Sequence, residues 1–158
     1  MAPTAIDWSE LDQSLQHDFS LGQQLRDVLE QERQTLENRQ YEQFEQLLQG
    51  KQQLLAQLEQ GGNARRQWLA KRGFADDASA LRLVKLQAPA VAEQWQAAAE
   101  QWRDCQHANQ VNEQICNRTR VVVERVLDIL RGQPGQGSTY DAKGISKHMF
   151  NGRTISNA

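Results

Sequence analysis

The sequence predicts an all-α fold: an elongated antiparallel three-helix bundle, coiled-coil-like, with a flexible C-terminal tail. Three observations carry this expectation. Apolar residues recur at spacings of three and four over most of the 158 residues. Hydrophobic content is 39%, aromatic content 6% and mean hydropathy −0.75, low for a compact globule but suited to helices that each bury one stripe. The periodic pattern stops at "GQPGQG", after which the chain becomes small and polar. These features divide it into a helical body over 1–131 and a tail over 132–158.

The first helix is expected over about 7–37. Asp7 is a candidate N-cap, with Glu10 three residues on as in a capping box. Leu11, Leu15, Leu25, Leu29 and Leu36 form its stripe, with Asp18, Gly22 and Glu32 on the same line. Phe19 and Val28 widen it. At "ENRQYEQ" the phase slips, which predicts a tight turn near Asn38 to Gln40.

The second helix is expected over 41–72. Its stripe runs Tyr41, Phe44, Leu48, Lys51, Leu55, Leu58, Gly62, Arg65 and Leu69. "EQGGNARR" reads as a breaker, yet Leu47, Leu54, Gly61 and Trp68 keep a seven-residue step across it, which predicts a continuous helix. "RGFADDAS" reads as a loop, with Gly73 as C′ residue and Asp77 or Ser79 as the next cap.

The third helix is expected over 79–131, with a kink at Pro89. Its stripe is Val91, Trp95, Ala98, Trp102, Cys105, Asn109, Asn112, Cys116, Thr119, Val123, Val126 and Leu130. Gly132 and Pro134 end it.

Glu32, Lys51, Asn109 and Asn112 are polar residues on apolar stripes. A turn centred near residue 39 pairs antiparallel positions totalling about 79, which places Glu32 and Lys51 about one turn out of register. A third helix parallel to the first brings Asn109 and Asn112 to the same level. One reading is a carboxylate tuned for acid–base work beside a lysine. The other is a polar layer that fixes register. No nucleophile–base pair, His cluster or Gly-rich phosphate loop accompanies these residues, which favours the register reading. His17, His107 and His148 lack ligand spacing, and no metal or cofactor is expected. Cys105 and Cys116, about three turns apart, read as core residues, as do Trp95 and Trp102.

The net charge is −2, made of −4 in the body and +2 in the tail. A mildly acidic body argues against nucleic acid and against anionic membranes. No apolar run reaches the ~20 residues that span a bilayer, and "MAPTAIDWSE" has no secretory pattern. The expected location is the cytoplasm.

The tail carries Tyr140, Ile145, Met149, Phe150 and Ile155 as apolar handles in a polar background. Ile145 and Met149 share a face if this piece is helical. It reads as a segment that folds on binding, as one that docks on its own bundle, or as a solvated terminus.

Several motifs together resemble the FlgN family of flagellar secretion chaperones. "TYDAKG" followed by "NGRTIS" is similar to that family's C-terminal signature, through Tyr140, Ala142, Gly144, Gly152, Arg153 and Ile155. "LEQERQTL" followed by "FEQLLQGKQQLLAQLE" supplies its Glu, then its Lys with paired leucines. "HANQVNEQI" supplies its Asn-x-x-Asn. Asp141 stands where members often have Gly. The resemblance implies a cytosolic export chaperone that binds the C-terminal helical segments of hook–filament junction proteins before flagellar type III export. The expected partner surface is Val122, Val126, Ile129 and Leu130 of the last helix with Tyr140, Ala142, Gly144, Ile145, Arg153 and Ile155 of the tail. The flagellar export machinery is a second implied partner, and the expected state is a monomer or weak homodimer. The alternative is a self-associating coiled-coil scaffold with no export role, its stripes filled by other copies.

Overall fold

The computed structural model describes residues 5–132, and these form four helices: α1 (Ser9–Glu37), α2 (Tyr41–Lys71), α3 (Asp77–Gln87) and α4 (Pro89–Leu130). The expected third segment with a kink is thus two helices. Ala88, held before the Pro89 ring, adopts φ −145° and ψ 72°, because a residue preceding proline is driven out of the α region. Pro89 then opens α4 at its first position, where its missing N–H costs nothing.

The start of α1 also differs from expectation. Its first helical residue is Ser9, whose N–H donates to the Asp7 carboxylate at 2.9 Å. That bond holds the Asp7 carboxyl below the usual carboxylate range. Glu10 makes no capping box. It faces α2, accepting from Trp68 Nε1 and lying 3.7 Å from Arg72. The cap of α3 is Asp76, whose carboxylate accepts from Ser79 N–H at 2.7 Å, not Asp77 or Ser79. Asp76 is the residue still extended when the helix begins.

The α1–α2 turn closes with Gln40 N–H donating to Thr35 O at 2.8 Å and Arg39 N–H to Leu36 O at 3.3 Å. This is a Schellman ending, and it puts Arg39 at φ 58°, a left-handed position where glycine is usual. Gly73 fills the equivalent place after α2 at φ 84°. Helix α2 itself runs unbroken through Gly61 and Gly62. Gly62 is buried, and a Cβ on Gly61 would stand 2.7 Å from an Asp18 carboxylate oxygen.

Helix α1 is the shared element. It packs against α2 and against α4, whereas no Cα of α2 lies within 8 Å of one on α4. Two clusters hold the assembly. At one end Trp8, Leu11, Leu15, Leu69, Ala80, Val84, Ala92 and Trp95 bring all four helices together. The Trp8 ring packs 5.9 Å from that of Trp68, tilted by 49°, and its N–H donates to Gln87 at 3.1 Å. Further along, Leu25, Leu29 and Cys105 are sealed under Leu54, Leu55, Leu58 and Trp102. The apolar area removed from water here is the main stabilising term. Of the two tryptophans read as core, Trp95 is buried and Trp102 half-buried; Cys116 is also only half-buried.

Arg39→Gly should stabilise the chain by about 0.5–1 kcal/mol, because the left-handed strain it relieves exceeds the entropy glycine adds to the unfolded state. Urea denaturation would check this. Leu29→Ala should cost about 2–5 kcal/mol in the same measurement.

Candidate functional site

Two features qualify for function: a buried polar junction between three helices, and the end of α4.

At the junction, Lys51 Nζ of α2 donates to Glu32 Oε2 of α1 at 3.2 Å, and Asn112 Nδ2 of α4 donates to the same oxygen at 3.2 Å. Asn112 also donates to Leu29 O at 2.8 Å. Glu32, Lys51 and Asn112 are all buried, while Asn109, expected at this level, is half-buried. Glu32 and Lys51 face each other directly, and their numbers total 83, not about 79. Side chains lean toward the N-terminus of their own helix. Across an antiparallel pair the two leans are opposed, so facing tips come from positions about four residues, roughly 6 Å, beyond the count set by the turn. Asp18 and Arg65 pair at the same total of 83.

A sealed carboxylate of this kind has no path to a substrate. Its two side-chain donors come from different helices, so a change of register would strand the charge. Glu32 Oε1 has no partner among the described residues, nor do Asp18 Oδ1 and Trp102 Nε1. Among the described residues no three His, Cys, Asp or Glu side chains are grouped to hold a metal ion.

The second feature follows from how α4 lies on α1. Cys105 Sγ donates to Gly22 O at 3.5 Å and Asn112 to Leu29 O, so the two helices run parallel with an offset of 83 residues. A Cβ on Gly22 would meet the flexible end of the Gln101 side chain, which would have to shift. The offset sets Arg120 level with Glu37, the last residue of α1. Residues 121–130 of α4 therefore extend about 15 Å past α1.

That overhang carries Glu124, Asp128 and Arg125 on one side and is apolar over the rest of its circumference. Of the expected partner surface, Val122 is 58% exposed, Val126 50%, Ile129 75% and Leu130 77%. The structure brings these four together on one free helical end. Val123, Val126 and Leu130 belong to the stripe expected to pack in the bundle; they are exposed, and no other described helix extends along them. Val121, Val123 and Leu127 share this end and were not among the expected site residues. The run "VVVERVLDIL" held their signal: seven of its ten residues are large and apolar, a wider face than a single packing stripe. Tyr140, Ala142, Gly144, Ile145, Arg153 and Ile155 lie outside the described residues. No described helix is long and apolar enough to cross a membrane.

Lys51→Leu should destabilise the chain by about 3–5 kcal/mol, because it strands the Glu32 charge. Replacing Glu32 and Lys51 together by leucine should restore most of that stability and lose register specificity, read as a rising mass in light scattering. Burial pushes the Cys105 thiol up to about 11, and burial together with Glu32 pushes Cys116 up to about 12. An unfolded thiol ionises from pH 9.0. The raised folded values therefore favour the fold below that pH, and their stabilisation is lost as pH climbs through 9.0 toward about 11 and 12. Alkylation near pH ~8 should be slow at both cysteines and become fast on unfolding.

Among known families the chain matches the one described as FlgN protein, over residues 1–147. No match was found among curated proteins or solved structures. The matched span contains the polar junction, the overhang and the Tyr140, Ala142, Gly144 and Ile145 positions. The chain belongs to the FlgN family, a family of flagellar export chaperones.

Proposed function

We propose that this chain is a cytosolic export chaperone for the hook–filament junction proteins. It binds their C-terminal helical segments, prevents their premature self-association and delivers them to the flagellar type III export apparatus. The observation that carries this reading is the exposed apolar end of α4. A chain seldom leaves seven large apolar side chains in water on one helical end unless another segment covers them. An amphipathic helix of a client fits such a surface through apolar anchors one helical turn apart.

In this reading the body over 1–131 is the scaffold and the segment over 132–158 completes the surface. Val122, Val126, Ile129 and Leu130 form its helical wall. Tyr140, Ala142, Gly144, Ile145, Arg153 and Ile155 supply the rest. The family match supports the chaperone class, and nothing in the junction or the overhang supplies the parts of a catalytic site.

A self-associating scaffold predicts stripes filled by other copies. The stripes of α1, α2 and α4 fill one another as far as Asn112, with Leu25 and Cys105 fully buried. This observation favours the chaperone.

Co-elution with light scattering tests the proposal. The full chain should form a stoichiometric complex with a junction-protein C-terminal segment. A chain ending at Gly132 should lose the complex and keep nearly the same helicity by circular dichroism. Val126→Asp with Ile129→Asp should weaken binding at least ~10-fold without lowering the thermal midpoint, since neither side chain is packed. Undiminished binding by the truncated chain would refute the placement. A mass that rises with concentration, with no complex, would favour the scaffold.

A further inference from the structure

Tyr41 is 49% exposed although it opens the packing stripe of α2. It stands at seven-residue steps from Leu48, Leu55, Gly62 and Leu69, and the last two are buried. A large side chain on such a line is normally covered. The register explains why this one is not. Pairs across α1 and α2 total 83, as Glu32 with Lys51 and Asp18 with Arg65 do. On that count the partner of Tyr41 falls at position 42, and α1 ends at Glu37.

The same level continues onto α4. Residues of α4 that face α1 lie 83 positions on, as Cys105 on Gly22 and Asn112 on Leu29 show. Position 42 is therefore level with Arg125, beside Val126. Seven-residue steps lead from Cys105 and Asn112 through Thr119 to Val126, and from Asn109 and Cys116 to Val123 and Leu130. Val123, Val126 and Leu130 thus turn to the side on which α1 lies upstream. Helices α2 and α4 both pack on α1, and none of their Cα atoms approach one another within 8 Å. The seat that α1 occupies between them continues past Glu37. Tyr41 stands on one wall, and Val123, Val126 and Leu130 stand on the other. The turn at Asn38–Gln40 closes its inner end.

What fits this seat is read from what fills it upstream. There the occupant is α1, an amphipathic helix that seats Leu25, Leu29 and Leu36 on one face. Glu124, Arg125 and Asp128 lie on the other side of α4 and leave no charge on its wall of the seat. A charge on the seated face of an occupant would find no partner on that wall. A helix makes about three turns along the ~15 Å of overhang. It therefore presents apolar residues at i, i+3 or i+4, and i+7.

We infer that this continuation of the α1 seat takes one amphipathic helix of the client, stacked on the end of α1, and that Tyr41 is a client-binding residue. The inference rests on the proposed function in naming the client as the occupant. It turns an exposed surface into a slot, gripped from α2 as well as from α4. The Tyr41 hydroxyl adds one hydrogen-bonding group to an apolar wall. Val122 and Ile129 stand at the open rim.

Fluorescence anisotropy on the full-length chain tests this with two labelled probes. One is an amphipathic peptide of about 14 residues, with leucines three and four apart and Glu and Lys elsewhere. The other is a junction-protein C-terminal segment. Tyr41→Ser should weaken both at least ~5-fold and leave the thermal midpoint nearly unchanged, since half of that side chain is already in water. Val123→Ser should do the same. Leu86 is 82% exposed at the opposite end of the bundle, and Leu86→Ser should change neither affinity. A peptide that does not bind, or that binds the native and Tyr41→Ser chains equally, would overturn the seat. Equal losses from Leu86→Ser would overturn it too, by showing general apolar adhesion. A mass that rises with protein concentration, and stops rising in Tyr41→Ser, would give the seat to a second copy and overturn its assignment to the client. The two proposals fail separately. A chain that binds the peptide through Tyr41 but no junction-protein segment would count against the proposed function alone. A chain that binds the segment equally well without Tyr41 would count against the seat alone.

Discussion

The buried Glu32 carboxylate is the constraint from which the rest of the architecture follows. A charge sealed between helices is tolerated only while donors reach it from both sides. Lys51 comes from α2 and Asn112 from α4, both at 3.2 Å. One oxygen thereby sets two registers. Asp18 and Arg65 repeat the α1–α2 setting two heptads away. Any slip of α2 along α1 breaks both ion pairs at once. A slip of α4 breaks the Asn112 bonds and moves the Cys105 thiol off the Gly22 carbonyl.

The same registers create the exposed apolar end of α4. The length of α1 is fixed by the left-handed turn at Arg39, and the start of α4 by Pro89. Locking α4 to α1 with an offset of 83 leaves only one place for the excess length of α4, beyond Glu37. Had the polar contact been one heptad further along α4, the exposed end would shrink by about 10 Å. The exposed apolar surface is thus an outcome of a polar contact buried elsewhere. This division of labour suits a chaperone: the body resists sliding, while the apolar end stays uncovered by the body.

Much of the chain was legible because helix periodicity is local. The stripes of α1 and α2, and the turn between them, follow from spacing and phase. The continuity of α2 through Gly61 and Gly62 was legible in the seven-residue step that Leu47, Leu54 and Trp68 keep around them. Caps were harder to place. Asp7, Asp76, Asp77 and Ser79 all have suitable side chains, and the choice rests on which residue is still extended where the helix starts. Pro89 was legible as an interruption. Its strength, a break in place of a kink, was decided at Ala88, whose conformation lets α3 turn back to place Ala80 and Val84 against Trp8.

The sequence by itself determined the helical class, the stripes and the presence of polar residues among them, since these depend on neighbours three and four positions away. It also marked "VVVERVLDIL" as apolar. Tertiary structure alone decided that this run is not core. From Val91 to Asn112 the α4 stripe is covered by other helices, and from Val123 onward the same stripe stands in water. No local pattern distinguishes the two halves. The difference is where the neighbouring helix ends, a relation between residues 83 positions apart that only the packed chain sets.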